Sequence, residues 1–293
     1  MQFTGSFVPP DAKLLYWPNG NSPVAQRQWS VATIATLRVY SRVGKWCHIS
    51  KPELEYINYF APGVNQFPNF MIEPQTLRFL SQLKENNNKP WFDAHRAQYE
   101  AAKIDFSNFI QFVIEAVQKW DTTITGLTSK DCLFRINRDV RFSKDKTPYK
   151  AHFGASIKRG SKKSPFAGYY FHLEPGGKSF IGGGMWMPEA PALKNMRQEI
   201  DYNWEQFKSI ITTKDFKKVY TDLYKGNDQR LSSMPKGYEK DNPAIDYLKL
   251  KSFFGETRVT DEELTKATLH KKTVSAFQTL YPFICFINRT VAE

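Results

Sequence analysis

The chain has 293 residues, of which 41% are hydrophobic and 24% charged, with three cysteines at scattered positions. This composition is typical of a globular protein, and no apolar run approaches the roughly 18 residues that a membrane span requires. The odd number and wide spacing of the cysteines exclude a disulfide framework and a Cys-x-x-Cys metal site. Together with an N-terminus that lacks a secretory signal, they predict a cytoplasmic protein with no membrane partner.

The net charge of +12 is concentrated in one segment of the chain. Residues 135–163 contain ten lysines and arginines but only two acids, Asp139 and Asp145. A localised basic segment indicates an anionic partner more strongly than a diffuse excess of charge does.

Residues 1–70 read as an irregular N-terminal extension. Repeated prolines and glycines break this stretch, and neither a helical nor a strand period persists through it. Three alternatives are open: a genuine extension, an acid-poor leader, or translated upstream sequence with Met71 as the natural start. We favour the last, because a regular helical pattern begins just after Met71. The predicted single domain is 71–293.

The elements of this domain follow one another in a simple order. Helical spacing predicts helices over 76–85 and 90–120. Strand patterns follow at 132–136, 151–157, 168–173 and 179–185, joined by short turns that predict antiparallel pairing. Helical patterns resume at 190–211 and 214–224, then a strand is predicted at 248–254 and a helix from Asp261. Helices, then strands, then helices predict an α+β fold, with an antiparallel meander of four to five strands packed against N- and C-terminal helices.

The densest polar cluster of the sequence lies in the basic segment. If the strand at 132–136 stays extended beyond Ile136, Arg135, Asp139 and Arg141 share one face. The other face is then apolar, with Phe134, Ile136, Val140 and Phe142. Guanidinium groups suit bidentate contact with phosphate or carboxylate, and lysines add point charges. The predicted anion-binding residues are Arg135, Arg138, Arg141, Lys146 and Lys150, supported by Asp139, Asp145 and Tyr149. The alternative is an internal network in which the two acids pair with the arginines.

Polar side chains also alternate along the next two predicted strands. His152 and Ser156 point one way from the first strand, and Tyr170, His172 and Glu174 point one way from the second. If the two faces coincide, they form a wall that could supply a general acid/base pair or part of a metal site. The candidate catalytic residues are His172, His152, Glu174 and Tyr170. Because their spacing matches no metal motif, we assign no metal site and predict no cofactor.

A run of three glycines, Gly182 to Gly184, interrupts the last strand of the meander. Glycine weakens a strand, so the run indicates a close backbone approach, centred on Gly183. The neighbour that approaches is either a ligand or a tightly packed helix or aromatic ring.

Several motifs of this sequence resemble those of a bacterial family of conserved hypothetical proteins, the domain-of-unknown-function 2461 family. The family signature R-x-x-R-D-x-R-F-x-x-D-K-x-x-Y is matched from Arg135 to Tyr149. The stretch from Asn87 to Phe92 resembles the family's N-N-x-x-W-F motif, and Tyr170-Phe-His172, Gly182 to Pro188 and Pro235 to Tyr238 resemble later blocks. The resemblance covers the chain from Gln75 to the C-terminus but not residues 1–70, which favours Met71 as the start. It implies family membership and no established activity or catalytic residues.

Three functions are therefore open for the domain. The leading hypothesis is binding of a phosphate-bearing ligand through the arginine cluster. Nucleic acid is one such ligand, with the turn 158–163 touching its backbone. A second hypothesis is an enzyme that acts on an anionic small molecule, with His172 or His152 as acid/base and the arginines holding the anion. A third is a purely structural role for the cluster.

Overall fold

The computed structural model describes residues 36–40, 46–50 and 71–291. Contacts divide the chain into two units, Met1–Val64 and Asn65–Glu293. In the first unit, strand β1 (Thr36–Tyr40) pairs antiparallel with strand β2 (Trp46–Ser50), which the sequence pattern did not predict. The remaining residues of the predicted extension, up to 70, lie outside the described residues, and the start at Met71 stays a prediction.

Helices lead into the sheet of the second unit. They are α1 (Pro74–Glu85), α2 (Lys89–Ala94), α3 (Arg96–Val117) and the short α4 (Ser129–Cys132). The helix predicted over 90–120 is interrupted at His95, whose φ of −108° and ψ of 21° are not helical. The ring of His95 stacks on that of Trp91 at 4.0 Å, and one ring nitrogen lies 2.8 Å from the Trp91 carbonyl oxygen. These local contacts accompany the break, which apolar spacing alone does not reveal.

The sheet of the second unit has four antiparallel strands in the order β3-β4-β5-β6. They are β3 (Phe153–Ile157), β4 (Gly168–Leu173), β5 (Ser179–Met185) and β6 (Phe253–Val259). Short turns connect β3, β4 and β5 as a meander, and β6 joins the edge of β5 after a long helical insertion. The predicted α+β fold is therefore confirmed.

Helices α5 (Ala190–Tyr202), α6 (Trp204–Ile211), α7 (Lys214–Tyr220) and α8 (Ile245–Leu248) form this insertion. After β6 come α9 (Asp261–Leu264) and α10 (Leu269–Asn288). Within the described residues, no helix combines the length and the apolar character that crossing a bilayer requires.

Two predicted strands differ from the structure. Residues 132–136 do not form a strand: Cys132 ends α4, whose start is fixed by a capping box between Thr128 and Asp131, and only Leu133 makes an isolated bridge to Ala155. The last strand is Phe253–Val259 rather than 248–254, because Leu248 ends α8. Leu248 and Leu250 are buried by tertiary packing, and a short apolar run does not distinguish such residues from a strand.

The core lies between one face of the sheet and helices α3 and α10. Phe106 of α3 stacks on Phe153 with ring centroids 5.4 Å apart, and Tyr169 of β4 lies 4.9 Å from Phe277 of α10. Strand alternation places every second residue of β4 in this core, because Tyr169, Phe171 and Leu173 are all buried. The residues between them, Tyr170 and His172, point to the opposite face.

One buried polar contact links the sheet to the end of α3. The Tyr169 hydroxyl donates to Oδ2 of Asp121 at 2.8 Å, and both residues are almost fully buried. The other carboxylate oxygen of Asp121 accepts from the amide and hydroxyl groups of Thr123. Within the described residues, the Tyr169 hydroxyl is the group that donates a hydrogen bond to Oδ2 of this buried carboxylate.

Removing this donor is expected to destabilise the domain. A hydrogen bond to a charged group contributes about 1.5–3 kcal/mol, so Tyr169→Phe should lower the free energy of unfolding by about that amount. Urea denaturation of the full chain measures the change. Tyr202→Phe is the matched control, because Tyr202 is 74% exposed and should tolerate the change. Equal effects of the two substitutions would contradict the role given to Tyr169.

Candidate functional site

The sheet face opposite the helices, which we call the open face, carries side chains that remain partly exposed. The strand register places Gly154, His172 and Phe180 in one row across β3, β4 and β5. The ring of His172 stacks on that of Phe180, with centroids 4.8 Å apart and planes 13° from parallel. The row continues to Arg258 of β6, which is opposite Phe180. The open face is therefore a surface of aromatic and polar groups.

A cluster of imidazoles and a carboxylate lies at one end of this row. Nε2 of His172 is 3.2 Å from Oε2 of Glu174. The rings of His152 and His172 have centroids 4.5 Å apart. The register of β3 and β4 makes the two strand faces coincide, which the alternation of residues alone does not determine. We call His152, His172 and Glu174 the histidine cluster.

Tyr170 completes the surroundings of His172. Its hydroxyl group lies 3.3 Å from Nδ1 of His172, so the imidazole contacts a phenol on one side and a carboxylate on the other. Space for the phenol is left by Gly154, where an added Cβ would lie 2.5 Å from the Tyr170 hydroxyl oxygen. Burial raises the pKa of Tyr170 to about 12, so the hydroxyl stays protonated at neutral pH.

Burial and charge set the protonation states of the histidine cluster. Burial lowers the pKa of His152 to about 4, with a further contribution from neighbouring His172. Burial also lowers the pKa of His172, although Glu174 opposes this effect. Burial alone would raise the pKa of Glu174, but the hydrogen bond from His172 and the nearby charges outweigh it and lower that pKa. At neutral pH the cluster holds two neutral imidazoles and one carboxylate.

The basic segment folds back on itself beside the open face. An isolated bridge joins Asn137 to Tyr149, and the amide of Lys150 donates to the Ile136 carbonyl at 2.8 Å. We call the two paired arms, residues 135–138 and 148–150, the root, and we call residues 139–147 between them the tip. The side chain of Asn87 clamps the root, because it bonds to both the amide and the carbonyl of Tyr149 at 3.1 and 2.9 Å. Asn87 belongs to the turn between α1 and α2.

Two of the predicted anion-binding arginines pair with acids of their own segment. Arg138 bonds to Asp145 and to Thr147. Arg141 forms a bidentate pair with Asp139, at 2.9 and 2.7 Å. The hydrogen bond from Arg141 lowers the pKa of Asp139, and bonds from Thr147 and Arg138 lower the pKa of Asp145 to about 2.

Two lysines of the basic segment differ in whether their ammonium group is hydrogen-bonded. The ammonium group of Lys146 donates to the Val140 carbonyl at 3.0 Å, whereas Lys150 lies over the ring of Phe134. Within residues 71–291, the Lys150 ammonium and the Arg135 guanidinium have no hydrogen-bond or ion-pair partner. Burial lowers the pKa of Lys150, and the charge of Arg135 lowers it further. These two groups are thus like charges near each other.

The predicted apolar backing of the arginine cluster is wrong in part. Ile136 is buried, but Phe134 is 40% exposed and Phe142 is 95% exposed. The segment turns after Arg138 instead of staying extended, so Phe142 does not return to the sheet. Phe134 instead lies on the open face, with its ring 6.3 Å from that of Tyr170. The position of Phe134 links Lys150 to the histidine cluster through a chain of neighbouring side chains.

The glycine run is explained by packing on both faces of β5. A Cβ at Gly183 would lie 2.7 Å from the Gly168 carbonyl oxygen and 3.0 Å from Leu280 of α10. A Cβ at Gly182 would lie 2.7 Å from the ring of Phe254. The neighbour of Gly183 is therefore the sheet backbone and a helix, so this residue shapes the core and does not face the histidine cluster.

Sequence reasoning gave no site role to Asn87 or Gly154, and it placed Phe134 behind the arginine cluster rather than beside Tyr170. Asn87 lies in a motif that the resemblance singled out, but its contact with Tyr149 spans 62 residues and leaves no local signal. Gly154 offered a usable signal, since a glycine between His152 and Ser156 in a strand pattern indicates a close approach.

Taken together, the second unit is an α+β domain whose antiparallel sheet carries a polar cluster on one face. Residues 75–286 match the family described as Conserved hypothetical protein (DUF2461). Because the match covers well over half of the chain, the chain belongs to this family, and the predicted membership is confirmed. Comparisons with curated proteins and with solved structures gave no match.

Proposed function

We propose that the protein binds a phosphate-bearing small molecule on its open face, with the anionic group held by Lys150 and Arg135. One observation carries the proposal: these two cations lie near each other, and neither forms a hydrogen bond or ion pair within residues 71–291. The carboxylate of Asp139, which also interacts with the charge of Arg135, is already paired with Arg141. A partly buried ammonium group beside a second positive charge is unfavourable in the free protein. An anion between the two groups removes both costs.

The other cations of the segment define the extent of the site. Arg138 and Arg141 are engaged with Asp145 and Asp139, so these two pairs fit the structural interpretation. Lys146 is exposed and bonded to a carbonyl oxygen. The anion site that we propose is thus narrower than the five residues of the sequence prediction, and its Lys150 lies near His152 of the histidine cluster.

A small molecule fits this arrangement better than a nucleic acid does. In the turn 158–163, the ammonium group of Lys158 bonds to the Ser164 carbonyl, and that of Lys162 bonds to the carbonyls of Lys130 and Asp131. These lysines hold the turn in place and are directed at protein oxygens. A polyanion needs a track of available cations, whereas one phosphate group needs a single pair.

Phosphate binding tests the proposal directly. We expect inorganic phosphate and pyrophosphate to raise the melting temperature of the full chain, since a ligand that binds only the folded state stabilises it by mass action. Lys150→Gln should weaken phosphate binding about 10–150-fold, because a charge-assisted hydrogen bond contributes about 1.5–3 kcal/mol. Titration calorimetry measures the dissociation constants.

Lys146→Gln is the matched control, because it removes the same charge from the same segment. Its effect on phosphate binding should be small. If both substitutions weaken binding equally, only the diffuse charge matters and the proposed pair is wrong. If a single-stranded oligonucleotide binds far more tightly than pyrophosphate, with a steep loss of affinity as salt rises, the nucleic-acid hypothesis replaces this one.

A further inference from the structure

The histidine cluster brings three good metal ligands to one point of the open face. His152 precedes β3, while His172 and Glu174 lie at the end of β4. One ligand atom from each residue lies within 4.8 Å of those of the other two. Sequence spacing gave no sign of a metal motif, because the residues meet through strand pairing rather than on one helix turn.

We propose that His152, His172 and Glu174 bind a divalent transition-metal ion, of the class of Zn²⁺, Fe²⁺ or Mn²⁺. Two imidazole nitrogens and one carboxylate oxygen are a ligand set that such ions use in proteins. The ion shares its sheet face with the anion proposed above, but the inference depends on the three ligands and not on that function.

The distance between His172 and Glu174 fits an ion between them. Two donor atoms that are each about 2.1 Å from one ion lie about 3.0–3.5 Å apart in tetrahedral or octahedral geometry. Nε2 of His172 and Oε2 of Glu174 are 3.2 Å apart. A ring nitrogen of His152 lies within 4.8 Å of a ligand atom of each of these two residues, so a modest rotation of the His152 side chain would complete the site.

His152 supplies a second, independent observation. Within the described residues its ring contacts that of His172, but neither of its nitrogens has a hydrogen-bond partner. Since no side-chain nitrogen of the described residues is both buried and without a partner, these nitrogens are open to solvent and available to an ion.

Tyr170 has the position of a supporting residue. When a histidine binds a metal through one nitrogen, its other nitrogen usually donates to a neighbouring oxygen, which orients the ring. The Tyr170 hydroxyl lies 3.3 Å from Nδ1 of His172 and can accept that hydrogen bond once Nε2 binds the ion. Lys178, 3.4 Å from the second oxygen of Glu174, orients the carboxylate in the same way.

Three protein ligands leave at least one coordination position open, as in catalytic zinc sites. The divalent ion and one carboxylate carry a net charge of +1, and Lys150 adds a further positive charge near His152. The open position therefore favours an anionic ligand, such as hydroxide, phosphate or a carboxylate.

Metal binding by the full chain tests the inference without phosphate. After dialysis against a chelator, Zn²⁺ titrated alone should bind with a stoichiometry of one per chain. Co²⁺ should give visible d–d absorption without a thiolate charge-transfer band. Glu174→Gln and His152→Ala should each abolish or strongly weaken binding, and Tyr170→Phe should weaken it about 10–100-fold.

His95→Ala is the control, because His95 lies outside the cluster, beside the Trp91 carbonyl. Zn²⁺ affinity should not change. Equal loss in the control and in Glu174→Gln, a thiolate band with Co²⁺, or no Zn²⁺ binding in the micromolar range would each overturn the inference. Glu174→Gln preserves the shape of the side chain, and a melting curve shows that it is folded. Lys150→Gln should retain Zn²⁺ binding, so the metal site and the anion site are tested separately.

Discussion

Phe171→Ala is expected to lower the free energy of unfolding by about 3–5 kcal/mol, which is the usual cost of removing a buried phenylalanine side chain. Phe171 lies at the centre of β4 and has no exposed surface. Its ring centroid is 5.1 Å from that of Phe109 and 6.1 Å from that of Phe106. Since both of these rings belong to α3, the truncation leaves a cavity between the sheet and a helix. Urea denaturation measures the change.

The matched control for this prediction is Phe180→Ala on the open face. Phe180 is only partly buried, and it stacks on His172. Removing its ring takes less apolar surface from the core, so the loss of stability should be clearly smaller. If the two truncations cost the same, the face that carries the histidine cluster is as much a part of the core as the helix face.

Gly183→Val is expected to cost about 3 kcal/mol or more, the upper end of the range for overpacking a core. A Cβ at this position would lie within 3.0 Å of both the Gly168 carbonyl oxygen and Leu280. The first of these atoms belongs to the backbone of a central strand and cannot move away easily. A large fall in the denaturation midpoint, or loss of folded protein, is the expected observation.

Gly255→Ala provides a graded comparison for Gly183→Ala. A Cβ at Gly255 would also meet Leu280, but at 3.3 Å and only through side-chain atoms, with Tyr220 as the other neighbour. These groups can shift by a few tenths of an ångström. Gly255→Ala should therefore cost less than Gly183→Ala, and the reverse order would show that the backbone contact at Gly183 is not the limiting one.

The sequence correctly predicted the limits of those elements whose two ends are marked by local signals. Strands β4 and β5 have the predicted limits because turns with glycine or proline flank them and their residues alternate between buried and partly exposed. The strand predicted at 132–136 is wrong because the capping box at Thr128 and Asp131 begins α4, which continues to Cys132. The root of the basic segment depends in addition on a distant partner, Asn87, whose side chain bonds to the backbone of Tyr149.

The sequence predicts which side chains share one face of a strand, but it does not predict the register that brings the neighbouring strands together. Alternation correctly placed Tyr170, His172 and Glu174 on one side of their strand. That His152 meets them follows from the pairing of Gly154 with His172, which short-range sequence does not specify. The division of the arginines into paired and available groups depends on the turn after Arg138. That turn brings Asp145 back to Arg138, whereas Arg135 forms no ion pair within the described residues.

The clamp formed by Asn87 has a consequence for the entropy of ligand binding. Arg135 and Lys150 extend from the two arms of the root, which is fixed by backbone bonds and by the Asn87 side chain. Arg141 and Lys146 belong to the tip, which has no such clamp. Immobilising a side chain on binding costs about 0.5–1.5 kcal/mol, and a fixed backbone confines that cost to the side chain itself. Arg135 and Lys150 can therefore hold an anion at a lower entropic cost than the cations of the tip.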